Sequence, residues 1–213
     1  HVAISLNGEP TLYTKLGEYM ELCHKHGMTT MLVTNGTLPK VLEKLDTLPT
    51  QLYVSVDAPN KQVFDEVCRP KWGNGAWDQF EKTIDLLPSL DTRIVCRHTM
   101  MKGINMSSEH IKQFAALDNR ADPDWIEAKG YVYVGHSREN ICMESMPSHD
   151  DILNFSNRLA PQVARRVLSE SRPSRVALIG REIVPIPLPD PEMFFPEDLG
   201  IAPPTKKLPL IQN

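Results

Sequence analysis

The sequence predicts an α/β protein built on a parallel sheet, and two observations lead to that prediction. Short apolar segments alternate along the chain with longer segments whose apolar residues recur at helical spacing. Strands that alternate with helices form parallel βα units rather than hairpins. Such units close into a barrel or lie in an open sheet, and in both the carboxyl ends of the strands carry function.

The predicted strands are short and apolar, and the first begins almost at the first residue. They cover residues 2–6, 30–33, 52–56, 92–96 and 125–134. An apolar stripe at helical spacing follows each strand. The stripes are Leu12, Leu16, Met20 and Cys23; Leu38, Val41, Leu42 and Leu45; Trp77, Phe80, Ile84 and Leu87; Ile111, Phe114 and Leu117; and Ile152, Phe155, Leu159 and Val163. Ser148 precedes the last stripe as a predicted helix cap, with carboxylates in the first turn.

Composition is that of an ordinary globular protein. The 213 residues are 41% hydrophobic and 23% charged, with a formal net charge of −4. No apolar run approaches the ~18 residues of a membrane span. The sequence carries neither an initial Met nor a signal pattern, so we expect an internal start, a cytoplasmic protein and no membrane partner.

Two parts are expected along the chain. Residues 1–182 form the barrel portion, and residues 183–213 form a proline-rich tail, since eight of the 18 prolines lie between Pro185 and Pro209. The four cysteines, Cys23, Cys68, Cys96 and Cys142, show no metal-binding spacing, and we expect them to be reduced.

Polar residues follow the apolar strands. They are Glu9, Asn35, Ser55, Asp57, His98 and His136. Each alone is as well explained by a turn, because Asn-Gly and Asp-x-Pro favour turns. Gly8 permits close approach of a ligand, and the carboxylate of Glu9 can accept hydrogen bonds from an ammonium group.

Several motifs, taken in order, resemble the 4-demethylwyosine synthase family of radical S-adenosylmethionine enzymes. They are SLNGEPTLY at 5–13, VTNG at 33–36, YVSVDAP at 53–59, CRP at 68–70, EAKGY at 127–131, VGHSR at 134–138 and MPSH at 146–149. The resemblance covers about residues 1–180 and is closer to archaeal members. It implies an incomplete parallel (β/α) TIM-like barrel of the radical S-adenosylmethionine type, with the first βα unit missing and an exposed sheet edge at residues 2–6.

The resemblance also implies an activity. The family condenses N1-methylguanosine, next to the anticodon of phenylalanine tRNA, with pyruvate carbons to form a tricyclic base. The implied cofactors are S-adenosylmethionine and a 4Fe–4S cluster, and an electron donor is an implied partner. The family's cluster loop, CxxxCxxC, does not occur in this sequence. We therefore expect the cluster cysteines upstream of His1, and a fragment that is inactive alone.

Residue roles follow from the same resemblance. Gly8, Glu9, Pro10 and Thr11 would face the methionine moiety, and Asn35, Ser55 and Asp57 the ribose or carboxylate. The residues expected to face tRNA or pyruvate are Arg69, Lys129, Tyr131, His136, Ser137 and Arg138. Lys129 is also a candidate Schiff-base lysine for pyruvate, although an ordinary substrate-facing ammonium group remains open.

Six arginines lie between Arg158 and Arg181, against a single acid, Glu170. They predict either contacts with tRNA phosphates or a solvated helix face. Two further readings of the whole chain stay open at this point. One is a non-catalytic RNA- or nucleotide-binding βα domain, and the other is a Schiff-base lyase of the aldolase type that uses Lys129.

Overall fold

The computed structural model describes residues 1–5, 8–71 and 75–186. Its centre is a seven-stranded mixed sheet in the order β1-β2-β3-β4-β5-β7-β6. The strands are β1 Val2–Ile4, β2 Thr30–Thr34, β3 Gln51–Ser55, β4 Arg93–Met100, β5 Trp125–Gly130, β6 Arg166–Ser171 and β7 Val176–Gly180. The helices are α1 Leu16–Lys25, α2 Pro39–Glu43, α3 Lys61–Val67, α4 Ala76–Leu86, α5 Ser108–Ala121 and α6 His149–Leu159.

Strands β1 to β5 are parallel, which confirms the predicted βα architecture. The end of the sheet where these five strands finish is called the carboxyl edge below, and the end where they begin is called the amino edge. Among the described strands β1 pairs with β2 alone, so it forms one side of the sheet, as expected for an incomplete barrel. Residue 6 of the predicted first strand lies outside the described residues.

One face of the sheet is covered by helices, and the main core lies between them. Alternating strand residues such as Leu32, Val54 and Ile126 are fully buried against the rings of Phe80 and Phe114. Removing such large apolar surfaces from water is the dominant favourable term in folding. The opposite strand positions are only partly buried, so the other face of the sheet is free to carry polar chemistry.

Local capping fixes where the later helices begin. Ser148 accepts a hydrogen bond from the Asp151 backbone N–H at 3.1 Å, and Asp151 Oδ2 accepts from the Ser148 backbone N–H at 2.9 Å. This reciprocal pair is the capping box that the sequence predicts. Asn60 and Ser107 cap α3 and α5 with their side chains alone, which accept from the backbone N–H groups of Val63 and His110.

The structure corrects several predicted elements. β5 ends at Gly130, and residues 135–139 form a short 3₁₀ helix, so the predicted strand 125–134 is too long. The exposed side chain of Leu12 precedes α1 and lies in a 3₁₀ helix, because Pro10 begins a separate turn. Helix α3 and the hairpin β6–β7 have no predicted counterpart.

The hairpin completes the sheet and joins it to the end of the described chain. β7 pairs antiparallel with β5, and β6 pairs antiparallel with β7. Beyond β7, Trp125 Nε1 donates to Glu182 O at 2.8 Å, and Arg93 donates to Pro185 O at 3.1 Å. The first residues of the predicted tail therefore lie against the amino edge, while residues 187–213 lie outside the described part.

Candidate active site

Glu9 lies just beyond β1 and binds the end of β2. Gly8 has the left-handed φ of +76°, and Pro10 starts a 3₁₀ helix for which Glu9 is the cap. Glu9 Oε1 accepts from Thr11 N at 3.2 Å, Thr11 Oγ1 at 2.7 Å and Thr34 Oγ1 at 2.6 Å. Glu9 Oε2 accepts from Asn35 N at 2.8 Å. One carboxylate thus connects the carboxyl ends of two neighbouring strands.

The turn after β2 forms one wall of a cavity of about 470 Å³ at the carboxyl edge. Asn35 Oδ1 accepts from Thr37 N at 2.9 Å and Thr37 Oγ1 at 2.7 Å, which holds both side chains in place. The remaining lining residues are Ser55, Asp57, Phe64, Val67, Cys68, Arg69, Pro70, Lys71 and Ala76. The cavity therefore combines an apolar wall from α3 with amide, hydroxyl and carboxylate groups at strand ends.

Asp57 supplies the carboxyl group among the residues that line this cavity. Burial raises the pKa of its carboxyl group, although hydrogen bonds from Thr99 and the charges of His98 and Arg97 act in the opposite direction. Asp57 Oδ1 accepts from Thr99 N at 3.2 Å. Asp57 is partly buried, and a carboxyl group in this position beside a cavity is well placed to accept hydrogen bonds from a ligand hydroxyl.

The sheet face opposite the helices carries a charged row next to the cavity. Arg97 Nε donates to Glu127 Oε1 at 2.9 Å, and its guanidinium lies 4.7 Å from the ring centroid of Tyr53. Burial raises the pKa of Tyr53, and the charge of Glu127 adds to that rise. Lys129 lies two residues after Glu127 on the same strand and hence on the same face.

The segment after β5 lies at the same edge. Tyr131 is buried, and its hydroxyl donates to Ser137 Oγ at 3.0 Å. The side chains of His136 and Arg138 are exposed, and His136 lies 3.1 Å from Glu139. Arg69 donates to Asn140, which joins this segment to the cavity wall. The structure thus brings the candidate residues of both halves of the chain to one edge.

His98 does not belong to this edge, although the sequence places it after a strand. β4 continues to Met100, so His98 lies inside the strand and points toward the helices. It is fully buried, 3.0 Å from Asp118 on α5, with its ring 4.5 Å from that of Phe114. Cys96, two residues earlier, shares this buried environment.

The arginines between Arg158 and Arg181 do not form one surface. Arg172 and Arg175 lie in the turn between β6 and β7, and Gly130 N donates to Arg175 O at 2.8 Å, which places that turn at the carboxyl edge. Arg166 and Gly180 pair across the hairpin at the amino edge, roughly 15 Å away at about 3.3 Å per residue. The expected helix face is wrong beyond residue 165, because this segment is a hairpin.

Arg165 also contradicts the expected contact with phosphate. It is buried and donates to Val163 O at 3.0 Å, to Pro123 O at 2.6 Å and to Asp122 Oδ1 at 2.7 Å. A guanidinium with these partners holds the chain together at the start of β5 and is not accessible to RNA. Arg158 donates to Ser108 at 2.6 Å and is exposed.

The cysteines support no metal centre in the described part of the chain. Cys23 and Cys96 are buried, whereas Cys68 and Cys142 are exposed and unpaired by disulfide. Although Cys68 is exposed as a residue, desolvation of its sulfur, together with the charges of Asp57 and Asp65, raises its pKa to about 12, so the thiolate is disfavoured at neutral pH. Within residues 1–5, 8–71 and 75–186, no group of three His, Cys, Asp or Glu side chains could hold a metal ion. These residues therefore do not fit an iron–sulfur cluster.

Sequence reasoning missed two threonines of the site. Thr34 is buried at the end of β2. Its hydroxyl donates a hydrogen bond to Glu9 and accepts one from Gly36 N at 3.1 Å. Thr99 supplies the backbone N–H to Asp57. A threonine directly before Asn-Gly at a strand end was a usable signal for the first, whereas the second depends on the pairing of β3 with β4.

Two known protein families match successive parts of the chain. The Radical SAM superfamily matches residues 1–115, and the family described as Wyosine base formation matches residues 120–181. The chain therefore belongs to the radical SAM superfamily, whose members use S-adenosylmethionine and a 4Fe–4S cluster. Within that superfamily, the second half of the chain is similar to the family described as Wyosine base formation.

Curated relatives agree with this assignment. The chain is 43% identical over 188 residues to the S-adenosyl-L-methionine-dependent tRNA 4-demethylwyosine synthase of Pyrococcus horikoshii, covering 86% of this chain and 54% of that protein. The protein of the same name from Methanocaldococcus jannaschii is 40% identical over 182 residues, covering 85% and 56%. The chain thus spans about half the length of these relatives.

Solved structures show the same similarity. A structure described as TYW1 with a lysine–pyruvate adduct bound superposes with a TM-score of 0.76 at 38% identity, covering 85% of this chain and 56% of that one. A crystal structure of archaeal TYW1 gives a TM-score of 0.70 at 36% identity, with the same shares covered.

Among the described helices, none has both the length and the apolar composition needed to cross a membrane.

Proposed function

We propose that this chain is the barrel portion of an S-adenosylmethionine-dependent tRNA 4-demethylwyosine synthase, which condenses N1-methylguanosine of phenylalanine tRNA with pyruvate carbons. The observation that carries the proposal is that the cavity, in the superfamily's part of the chain, and the segment after β5, in the part that matches Wyosine base formation, lie at one edge of the sheet. Arg69, which lines the cavity, also donates to Asn140 of that segment. Cofactor and RNA would then meet at one edge of the sheet.

The cavity fits the adenosyl part of S-adenosylmethionine. Its volume of about 470 Å³ lies within the usual range for small-molecule sites, about 300–1,000 Å³. Asn35, Ser55 and Asp57 offer amide, hydroxyl and carboxylate groups, which suit the hydroxyls of a ribose. S-adenosylmethionine, when bound, is the source of the radical, and an external donor supplies the electron.

Lys129 is our candidate for binding pyruvate. A solved relative carries a lysine–pyruvate adduct, and among the described strands Lys129 is the one lysine. Its amine would attack the ketone carbon of pyruvate and form an imine with release of water. Joining part of pyruvate to the base by breaking a carbon–carbon bond would place the enzyme among the lyases.

The RNA would approach from the segment after β5. Ser137 and Arg138 lie there with the exposed ring of His136, and Arg69 and Tyr131 connect the segment to the cavity and the sheet. An exposed ring and a guanidinium suit an unpaired base and its phosphate. We therefore propose a cytoplasmic location, as expected of an enzyme that acts on tRNA.

The test of the whole proposal uses the full-length protein that contains this chain, with its cluster reconstituted. We expect a tricyclic nucleoside in digests of tRNA only when the tRNA carries N1-methylguanosine and pyruvate is present. Product formed from unmodified tRNA, or without pyruvate, would contradict it. Because no described group of side chains can ligate a cluster, we expect the described part alone to leave S-adenosylmethionine intact.

The role of Lys129 has a separate test. Borohydride reduces an imine to a stable amine, so treatment with pyruvate and borohydride should add a pyruvate-derived mass to the peptide that contains Lys129. Lys129→Met should abolish that adduct. Lys102→Met is the matched control, since Lys102 is exposed and pairs with Asp151 at 3.6 Å. An adduct that persists in Lys129→Met would assign pyruvate to another lysine.

A further inference from the structure

An ion pair lies on the sheet face that the helices leave uncovered. Arg97 on β4 and Glu127 on β5 are neighbours in the register of the sheet, and Arg97 Nε donates to Glu127 Oε1 at 2.9 Å. Only 27% of the Arg97 side chain and 16% of the Glu127 side chain remain exposed. In a partly buried pair, the loss of hydration offsets much of the attraction between the charges. Stability alone therefore does not account for this pair.

Both partners keep hydrogen-bonding groups that a ligand can use. Among the described residues, no second donor reaches Glu127 and no second acceptor reaches Arg97. Glu127 Oε2 and the terminal N–H groups of Arg97 are therefore available. The guanidinium lies 4.7 Å from the ring centroid of Tyr53 on β3, which restricts its position on one side.

The ion pair lies beside the cavity. Thr99 follows Arg97 on the same face of β4, and its backbone N–H donates to the cavity residue Asp57 at 3.2 Å. Burial raises the pKa of Asp57, and the charge of Arg97 is close enough to act against that rise. A molecule bound to the ion pair would thus be the neighbour of a molecule bound in the cavity.

We propose that Arg97 and Glu127 bind the guanine ring of the RNA substrate, with Arg97 donating to the carbonyl oxygen O6 and Glu127 accepting from the amino group N2. This proposal rests on the proposed function, because it takes N1-methylguanosine as the substrate. O6 and N2 flank N1 at the Watson–Crick edge of guanine, so an adjacent cation and anion match them. Arginine is a common partner of guanine O6, and carboxylates accept from the amino groups of bases.

Methylation of N1 fits this arrangement. An unmodified guanine presents two donors, N1–H and N2–H, which suit a carboxylate with both oxygens free. N1-methylguanine keeps only the donor at N2. Because Arg97 already occupies Oε1 of Glu127, the remaining oxygen Oε2 matches that single donor.

The test uses an anticodon stem-loop in two forms that differ by one amino group. One carries N1-methylguanosine, and the other carries 1-methylinosine, which keeps the methyl group and O6 but lacks N2. Fluorescence anisotropy measures the affinity of each for the full-length, cluster-loaded protein. We expect the original protein to prefer N1-methylguanosine by about tenfold, the effect of one hydrogen bond to a charged group.

Substitutions of the two residues should change this preference differently. Glu127→Gln keeps a neutral acceptor and should lower the preference to about threefold, whereas Glu127→Met should abolish it. Because Glu127→Met leaves Arg97 without its partner, the double variant with Arg97→Met is measured as well and should show the same loss of preference. Arg97→Lys should weaken both RNAs by the same factor, because both contain O6.

Glu81→Gln is the matched control. Glu81 accepts from Arg120 at 2.8 Å on the helical side of the molecule, so the same chemical change there should leave the preference unchanged. Since the preference is a ratio measured within one variant, a general loss of stability affects both RNAs alike and cancels.

A tenfold preference that persists in Glu127→Met would overturn the proposal. A raised KM for pyruvate in Arg97→Lys, with unchanged RNA affinities, would also overturn it and would assign the guanidinium to the carboxylate of pyruvate. If the original protein forms the tricyclic nucleoside but binds both stem-loops equally, the proposed function stands and this inference fails. If no tricyclic nucleoside forms, the proposed function fails, and the ratio of affinities still decides whether Glu127 recognises the amino group.

Discussion

The two edges of the sheet each hold an aspartate near arginines, but the pKa values of these acids shift in opposite directions. At the carboxyl edge, burial raises the pKa of Asp57. At the amino edge, hydrogen bonds from Arg181 and Arg165 lower the pKa of Asp122, against a smaller effect of burial. The amino edge thus pairs its charges internally and stabilises the fold. The carboxyl edge leaves a carboxyl group in a cavity, available to a ligand at a cost in stability.

The largest effect on stability is expected from a substitution at the amino edge. Arg165→Met removes three hydrogen bonds and leaves Pro123 O and Val163 O buried without a donor. We expect the free energy of unfolding to fall by about 3 kcal/mol, the low end for a buried pair, because Asp122 stays half exposed. Denaturant titration measures this, with the exposed Arg166→Gln as control. Equal losses in the two variants would mean that Arg165 is not a structural residue.

Tight packing at the same edge predicts the next effect. A Cβ at Gly180 would lie 2.7 Å from Trp125 Cδ1 and 2.9 Å from Leu168 Cδ1. Gly180→Ala should therefore destabilise the protein by about 2 kcal/mol through overpacking. Gly75→Ala is the control, since no atom lies within 4 Å of its Cβ position. The midpoint temperature of thermal unfolding measures both changes, and an equal decrease in the two variants would contradict the packing argument.

At the carboxyl edge we expect a change that improves stability and harms binding. The folded pKa of Asp57 lies above its ordinary value of 3.8, so its ionisation removes stability as the pH rises through the raised pKa. Asp57→Asn abolishes that loss and should be the more stable protein above this window. Its affinity for 5′-methylthioadenosine should fall about tenfold, the effect of one hydrogen bond to a charged group. Unchanged affinity would remove Asp57 from the cavity's ligand contacts.

Asp122 should show the opposite dependence of stability on pH, because its pKa is lowered whereas that of Asp57 is raised. Its lowered pKa means that its stabilising contribution is present above 3.8 and is lost as the pH falls through the folded value. Asp122→Asn should therefore be less stable than the original protein at neutral pH, and the two should converge in acid. Unfolding measured across pH distinguishes the two aspartates, and parallel curves for both variants would contradict the comparison.

The smallest effect is expected on tRNA binding, from the arginines that the hairpin β6–β7 places at opposite edges of the sheet. Arg172→Gln with Arg175→Gln, at the carboxyl edge, should lower the slope of log affinity for tRNA against log salt by about 0.7–0.9 per lost phosphate contact. Arg166→Gln with Arg181→Gln, at the amino edge, should leave the slope unchanged. Filter binding of the full-length protein across salt concentrations measures both. Equal slopes in the two double variants would mean that neither edge is singled out by the RNA.

The order of the residues was enough to predict the parallel βα order, the capping box at Ser148 and the strand ends that form the cavity. These features are local, because apolar periodicity and turn formation each depend on residues that lie within about ten positions of one another. Asn35, Ser55 and Asp57 come together as a direct consequence, since parallel strands finish at the same edge.

The pairing of the charged groups, in contrast, depends on how the chain folds in three dimensions. Arg165 and Arg175 are ten residues apart in the sequence, but one is buried at the amino edge and the other lies at the carboxyl edge. His98 became a core residue because β4 runs four residues past the predicted end and α5 supplies Asp118. Partners 20 to 45 residues away set these outcomes, since Asp118 lies 20 residues from His98 and Gly130 lies 45 residues from Arg175, and neither periodicity nor composition records which partner a side chain meets.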